Sequence, residues 1–493
     1  METPLEEGIT RKPGWPIILG PLVFLISFFL PSPDSFYPLI PVMIGLTIWI
    51  ALWWLTEAVH IAVTSFIPFI FIPACGIADI KVVSAQYMDP ILFLFLGGFL
   101  LSFAIEKWGL HRRLALFILS STGHSAGNIL IGVMLTAFII SMWISNTATV
   151  MMLISAVLAV IYQLNHHLKN KEHHRVIGSA LLIGLAYSAN IGGMSTLVGT
   201  PTNMIFYRSY SEHFGTTYPI TFTGWMDFAL SVAVLLLITT WLVLRFTLLK
   251  KLAAIPFDKE VFKAQRKQLG NWNKDERLTF LVFLLTVILW FTRANFELGS
   301  VTLRGWSSYF PYPTQITDGT VAMFMALLLF VIPSSTEKGR SLLTWTEASK
   351  IPYEIILLFG SGFALAKGFE SSGLSNWLAQ QLHALKGVHP FLIIVTIGII
   401  VTLISEFASN VASIQLVMPV LISLQAVVGQ HPALLLVTAA LAASLGFMLP
   451  VATAPNTIVF SSGHIKVREM AMAGLIIDLA GILIISIYLY CFF

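Results

Sequence analysis

One short phrase of this chain occurs twice, 264 positions apart: Ile144-Ser145-Asn146-Thr147-Ala148-Thr149 returns as Ala408-Ser409-Asn410-Val411-Ala412-Ser413. Upstream, Phe95, Gly98, Phe99, Glu106, Gly109 and Leu110 return at the same offset as Phe359, Gly362, Phe363, Glu370, Gly373 and Leu374. Downstream, Gly199-Thr200-Pro201-Thr202-Asn203 is echoed by Ala452-Thr453-Ala454-Pro455-Asn456. Each copy is a helix-breaking polar patch in apolar surroundings. Repeats of that kind mark a membrane transporter whose site lies near the bilayer midplane.

Composition agrees. The chain is 57% hydrophobic and 11% charged, against roughly 25% charged residues in a soluble domain. That predicts an all-α polytopic membrane protein. Cys75 and Cys491 both lie in apolar segments and read as small fillers rather than a disulfide or metal site. Met1 to Thr10 is acidic, so the apolar run from Ile17 is expected to be a retained first span and not a cleaved signal. The net charge of +4 implies no nucleic-acid partner, because the basic residues sort by membrane side.

Apolar runs of about 20 residues read as spans. They fall near 15–31, 38–56, 58–76, 90–106, 225–249, 278–296, 319–333, 352–369 and 470–491, with interrupted runs at 177–207 and 432–462. Two longer runs, 124–164 and 388–429, are broken in the middle by the repeated phrase. Each is either one long kinked helix or a re-entrant hairpin whose arms meet at the motif. With hairpins there are eleven crossings, a cytoplasmic N-terminus and an external C-terminus. That threading leaves only Lys81, Arg208, Arg293, Arg304, Lys367 and Lys386 of the 28 basic residues outside, as the positive-inside rule asks. It separates the hairpins from a re-entrant 90–106 segment less sharply. An odd number of crossings between equivalents makes the halves inverted. Residues 107–122 and 370–386 read as interfacial amphipathic helices, and the charged stretch 250–277 as a cytoplasmic linker.

Irregular backbone at membrane depth persists only where protein buries it or water lines it. Free carbonyls and hydroxyls there suit a small hard cation, and free amides at helix N-termini suit an anion. No Lys or Arg occurs in 114–168, 177–207 or 387–465, and Glu406 is the only acid in them. A dianion bound here lacks a cationic side chain, so cations must accompany it. Sodium suits neutral oxygen ligands, whereas no carboxylate relay favours a proton. Glu406 reads equally as a substrate-proximal group or a hydrogen-bonded structural acid. Glu57 and His60 read as structural, and His166, His167, His173 and His174 as a solvated turn rather than a metal site. No Ser/His/Asp set, metal spacing or phosphate loop suggests an enzyme, and a channel does not require two opposed hairpins.

The paired motifs, with Trp54-Leu55-Thr56-Glu57-Ala58, Phe93-Leu94-Phe95-Leu96-Gly97-Gly98-Phe99 and Gly199-Thr200-Pro201-Thr202-Asn203, resemble the divalent anion/sodium symporter family of di- and tricarboxylate and sulfate carriers. The resemblance runs from about residue 38 to 491. It implies a homodimer of eleven spans and two re-entrant hairpins, an inverted-repeat transporter of the elevator type without an organic cofactor. The scaffold would be 1–122 plus 278–386, and the moving part 123–249 plus 387–493, joined by the linker 250–277. One sodium site would comprise Ser141, Ser145, Asn146 and Gly199, the other Ser405, Ala408, Asn410 and Ala452. Substrate would meet Ser145, Asn146, Thr147 and Pro201 from one repeat and Ser409, Asn410, Val411 and Ala454 from the other.

Two departures bear on the substrate. Val411 stands where that family often has Thr, and Thr202 and Ala454 interrupt the more usual Thr-Pro-Pro-Asn and its echo. The expected activity is sodium-coupled symport of C4-dicarboxylates (succinate, fumarate, malate) across a bacterial inner membrane. A sodium-independent exchanger on the same fold, or a citrate or sulfate symporter, stands as the alternative. Ser141 and Ser405, each four residues before a motif serine, favour sodium.

Overall fold

The computed structural model describes residues 14–121, 125–167, 171–250, 252, 266–298, 301–429 and 431–493, with side chains omitted at 163–167, 171, 296–298 and 301–302. Residues 1–13 and half of the linker 250–277 (251 and 253–265) therefore lie outside the description, as do the side chains of His166 and His167. The described chain is helical apart from one short antiparallel hairpin, β1 (Phe296–Leu298) with β2 (Val301–Leu303). The helices up to the first break are α1 (Trp15–Ser27), α2 (Ile40–Thr56), α3 (Ile61–Thr64), α4 (Ile67–Ala74), α5 (Ile80–Gln86), α6 (Ile91–Lys107) and α7 (Leu110–Ser121). Next come α8 (Ala126–Ser141), α9 (Asn146–His167), α10 (Lys171–Met194), α11 (Pro201–Phe214), α12 (Phe222–Phe246), α13 (Lys274–Arg293), α14 (Asp318–Val331), α15 (Trp345–Ala348) and α16 (Tyr353–Ser371). The chain closes with α17 (Leu374–Gln381), α18 (Pro390–Phe407), α19 (Asn410–Val428), α20 (Pro432–Ala442), α21 (Ala454–Phe460) and α22 (Val467–Phe492). Among the described residues, six helical stretches are long and apolar enough to cross a bilayer, and seven shorter ones are strongly apolar.

Most span boundaries fall within a few residues of the hydropathy reading. The run 58–76 does not form one helix. Glu57 takes a left-handed conformation (φ 46°), the His60 ring caps α3 at Ala62, and Pro68 restarts the chain at the second position of α4. Proline fits there because the first helical N–H groups have no intrahelical partner. The amphipathic stretches 107–122 and 370–386 contain α7 and α17, the latter extended by a 3-10 turn at Leu382–Leu385. The repeated glycines that precede them, Gly109 and Gly373, both sit at positive φ (70° and 76°). Glycine populates that region freely, so the repeat preserves a turn as well as a motif.

Packing divides the chain into two compact units: residues up to Met88 with Tyr353–Ala384, and Asp89–Pro352 with Leu385–Phe493. In the first, α16 packs against α2, α3, α4 and α5. The Tyr87 ring lies where a Cβ on Gly360 would be, 2.5 Å away, and its hydroxyl donates to the Ser65 carbonyl.

The second unit holds both copies of the motif. Here α8 and α9 run back along the same helix. Gly184 of α10 abuts Leu130 and Met134 of α8, and Gly178 abuts Ile161 of α9; a few turns on, Gly192 meets Phe138 and Gly193 meets Asn146. The two arms therefore lie side by side with their turn at 142–145, a hairpin rather than one kinked helix. In the other copy, α20 packs against both arms α18 and α19. The two copies are also interleaved: α11 packs against α19 and α20, and α21 against α9 and α10.

Candidate ion and substrate site

Both hairpin turns are built by the same local chemistry. Ser145 and Ser409 are N-caps: their hydroxyl oxygens accept from Ala148 N (3.3 Å) and Ala412 N (3.2 Å). Serine is favoured there because it satisfies an orphan donor of the first turn. The asparagine that follows each cap opens α9 or α19. Its side-chain oxygen accepts from the serine five residues earlier, Ser141 Oγ to Asn146 Oδ1 and Ser405 Oγ to Asn410 Oδ1, both at 2.7 Å. The two clamps match in distance and spacing.

The helix breaks that face the hairpins are closed by a second pair of asparagines. Asn203 Nδ2 donates to the carbonyls of Gly193, Met194 and Thr196 at 3.0, 3.2 and 2.7 Å. Asn456 Nδ2 donates to those of Gly446 and Leu449 at 2.9 and 3.1 Å. The shared partners lie ten and seven residues upstream in each case. Each amide holds an unwound loop folded over and keeps its carbonyls from being left bare.

Gly193 brings the first break to the first hairpin: a Cβ on it would stand 2.3 Å from Asn146 Oδ1 and 3.1 Å from the Gly199 carbonyl. Thr196 Oγ1 donates to Met142 O at the hairpin turn. In the second copy the approach is looser, Gly446 to Asn410 Oδ1 at 3.4 Å and to the Ala452 Cβ at 3.4 Å. There Ser405 Oγ also lies 2.6 Å from the Ala443 carbonyl. The structure thus gathers Ser141, Asn146 and Gly199 at one place and Ser405, Asn410 and Ala452 at another, all neutral. Ser195 Oγ and Asn456 Oδ1, both buried beside these breaks, have no hydrogen-bond partner among the described residues. Oxygen-rich, uncharged and partly unsatisfied donor sets of this kind fit a monovalent hard cation.

The two places are connected. Asn146 Nδ2 donates to Asn190 Oδ1 (3.3 Å), and Asn190 Nδ2 to Thr453 Oγ1 (3.1 Å), in the opposite copy. Thr202 and Ser444 hydroxyls meet at 3.0 Å, again across copies. Ser145, Asn146, Thr147, Pro201, Ser409, Asn410 and Val411 are half-buried, Ala408 is buried and Ala454 exposed. The motif side chains are therefore reachable while their supports are sealed.

Glu406 takes the structural role. Its carboxylate is 2% exposed and accepts from the Met448 and Leu449 amides at 2.8 and 2.9 Å, bracing the unwound segment before the second break. His174 gives Nε2 to the Ile161 carbonyl contact and joins no metal cluster among the described residues. The sequence alone assigns no role to Asn190, Asn203 or Asn456. Asn203 and Asn456 were signalled by their common offset within the echoed breaks. Asn190 was not, because Ala443 stands in its register ten residues before Thr453.

The family pattern described as "Sodium:sulfate symporter transmembrane region" matches residues 12–492. The "Sodium-dependent dicarboxylate transporter SdcS" of Staphylococcus saprophyticus is 38% identical over 479 residues, 96% of this chain and 90% of its own length. The protein of the same name from Staphylococcus aureus strain USA300 shows the same identity and coverage. Among solved structures, the Alcanivorax borkumensis YdaH transporter superposes with a TM-score of 0.55 at 14% identity, covering 96% of this chain and 97% of that one. Neisseria gonorrhoeae MtrF superposes at 0.56 with 12% identity over 98% and 95%. At that identity the likeness is one of fold.

Proposed function

The chain belongs to the sodium:sulfate symporter family, and on that premise we propose that it is a sodium-coupled symporter of C4-dicarboxylates such as succinate, fumarate and malate. The observation that carries the reading is the duplicated clamp: Ser141–Asn146 and Ser405–Asn410, each 2.7 Å, each set against an unwound break with no cationic side chain. The staphylococcal sodium-dependent dicarboxylate transporters support both the ion and the substrate class.

In this reading sodium occupies the two clamps. Ser405 can give its proton to the Ala443 carbonyl and still offer lone pairs to a cation; Ser141 turns its proton away from Asn146 when the ion arrives. The dicarboxylate lies between the hairpin turns. It is held by the Ser145, Asn146, Thr147, Ser409 and Asn410 side chains, the first amides of α9 and α19, and the walls at Pro201, Val411 and Ala454. Helix N-termini favour negative charge. Bringing a dianion into a cell at about 100 mV, negative inside, costs about 4.6 kcal/mol. Two sodium ions cancel that term and a third would reverse it.

Transport follows an elevator motion of 123–249 with 387–493 against the scaffold 1–122 with 278–386, in a homodimer with eleven crossings, two re-entrant hairpins and inverted halves. The interleaving of α11 and α21 with the opposite hairpins supports movement of both sites as one body. The N-terminus is cytoplasmic and the membrane a bacterial inner membrane.

The test is uptake of labelled succinate by proteoliposomes with an inward sodium gradient or none. Accumulation that requires sodium and collapses in Asn146→Ala and Asn410→Ala supports the reading. Uptake that ignores sodium but needs succinate preloaded inside makes the protein an exchanger. Uptake of citrate or sulfate alone refutes the dicarboxylate assignment.

A further inference from the structure

Within the second unit, α7, the turn of the first hairpin and the start of α13 leave a cavity of about 350 Å³ between them. Its depth is apolar: Ile139, Ile140 and Trp143 form the hairpin wall, Leu114 the α7 wall, and Phe280 and Phe283 the α13 wall. Ile140 is 3% exposed, whereas Leu114 and Phe280 are 37% and 43% exposed. The cavity therefore runs from the buried hairpin out to apolar surface that a membrane protein turns to the bilayer. Its inner wall is firmly set. The Trp143 ring stacks parallel to Trp290 at 6.4 Å and meets Phe283 edge-on at 5.4 Å.

The rim is basic, and its charges are unevenly matched. Arg113 is fully engaged: it donates to the Glu276 carboxylate at 2.8 Å and to the carbonyls of Leu269, Gly270 and Asn271 at 3.2, 2.9 and 3.0 Å. It also lies over the Trp272 ring at 5.2 Å, so it fixes the turn that frames the mouth. Arg266, just before that turn, has the Ser120 hydroxyl at 3.4 Å and the face of Phe117 at 5.2 Å, and no carboxylate pairs with it among the described residues. Arg112, Lys267, Lys274 and Arg277, close to these residues in sequence, are exposed. The two acids in the first turn of α13 are both taken, Glu276 by Arg113 and Asp275 by Ser334, Ser335 and Thr336.

A volume of this size falls within the roughly 300–1,000 Å³ of ligand sites. A small polar solute would leave the aromatic and aliphatic depth unmatched. An amphiphile matches both ends, with hydrocarbon inside and negative charge at the mouth. Guanidinium groups suit phosphate oxygens bidentately, and tryptophan such as Trp272 is favoured at headgroup level. Basic pockets between membrane helices hold anionic headgroups by the same physics. We propose that this groove binds one anionic phospholipid, its acyl chain against Ile140 and Trp143 and its headgroup phosphate on Arg266. Such binding is independent of which anion the protein carries and of whether sodium drives it.

Native mass spectrometry of the purified full chain reads the site, with titration by dioleoyl phosphatidylglycerol or by phosphatidylcholine of the same chains. The natural protein retains one phosphatidylglycerol at a concentration about fivefold or more below that needed for phosphatidylcholine. Arg266→Gln, at an exposed position, brings the two lipids within about twofold of each other. Arg468→Gln, which removes a positive charge at the start of α22, keeps the preference. Leu114→Trp fills the mouth and loses retention of both lipids, with thermal unfolding as the check that the variant is folded. Equal retention of the two lipids by the natural protein overturns the site, as does an equal effect of Arg266→Gln and Arg468→Gln. Undiminished retention in Leu114→Trp overturns the seating of the chain in the groove. Only mass is read, so failure of succinate uptake leaves the result in place.

Discussion

Replacing Gly193 by alanine tests the two-clamp geometry most sharply, because its counterpart Gly446 supplies an internal control. The added methyl at 193 would stand 2.3 Å from Asn146 Oδ1 and 3.1 Å from the Gly199 carbonyl. The first contact is with a side chain that can swing, so relief comes by displacing Asn146 from Ser141. Overpacking of this kind costs about 1–3 kcal/mol. Alanine is meanwhile favoured over glycine inside a helix by about 0.5–1 kcal/mol, so the fold itself loses little. The cost falls on the ion: about 1–3 kcal/mol is a ~5- to ~150-fold rise in the half-saturating sodium concentration. At Gly446 the same methyl meets Asn410 Oδ1, the Ala452 Cβ and a Thr453 methyl at 3.4 Å, ordinary contact. Gly446→Ala should hold sodium dependence within about twofold. The assay is initial uptake into proteoliposomes across a sodium series, with thermal unfolding as a check on folding. Equal shifts in the two variants, or no shift in Gly193→Ala, refute the assignment of the first clamp to sodium.

Two further outcomes follow from other parts of the molecule. At the start of α22, burial pushes the Glu469 carboxyl up, but the Arg175 guanidinium and the Ser179 hydroxyl outweigh it and hold the group below its ordinary 4.5. A depressed carboxyl stabilises the fold above the unfolded-state value and loses that contribution as pH falls through the folded one. The unfolding temperature should therefore drop as pH goes below about 4.5, and Glu469→Gln should flatten that part of the profile; an unchanged slope in a thermal-shift series would count against the pairing. Val411→Thr should add a hydroxyl beside Asn410 and change the ratio of affinities for succinate and citrate by about 1–2 kcal/mol, or ~5- to ~30-fold. Competition of each anion against labelled succinate measures it, and a ratio unchanged by the substitution would remove position 411 from the substrate surface.

The parts legible in the sequence are those where the chain states its intention locally. Ser145-Asn146 and Ser409-Asn410 announce a helix start inside an apolar run, and α9 and α19 begin at those asparagines. Pro201 and Pro455 likewise mark the restart after each break. Hydropathy alone left kinked helix and hairpin open, because apolar arms look the same either way. The choice was made by packing on α10, a long-range fact. The family resemblance implies serine ligands, and the structure adds that the Ser145 and Ser409 oxygens cap helices. The sequence leaves Glu406 open between two roles, and its amide partners decide for the structural one. The break at Ser65-Phe66 was hidden by composition, since every residue there is compatible with a span.

The interleaving of the two copies has a consequence for how the chain is made. Residues 201–214 emerge from the ribosome more than 200 positions before the last of α19 and α20, against which they pack. The first copy cannot finish its own tertiary structure until the second has been synthesised and inserted. Contacts so distant in sequence slow folding and leave partly buried faces waiting in the bilayer. A chain cut in the linker should yield two halves that are each incomplete, and that recover a native unit only when both are present in one membrane.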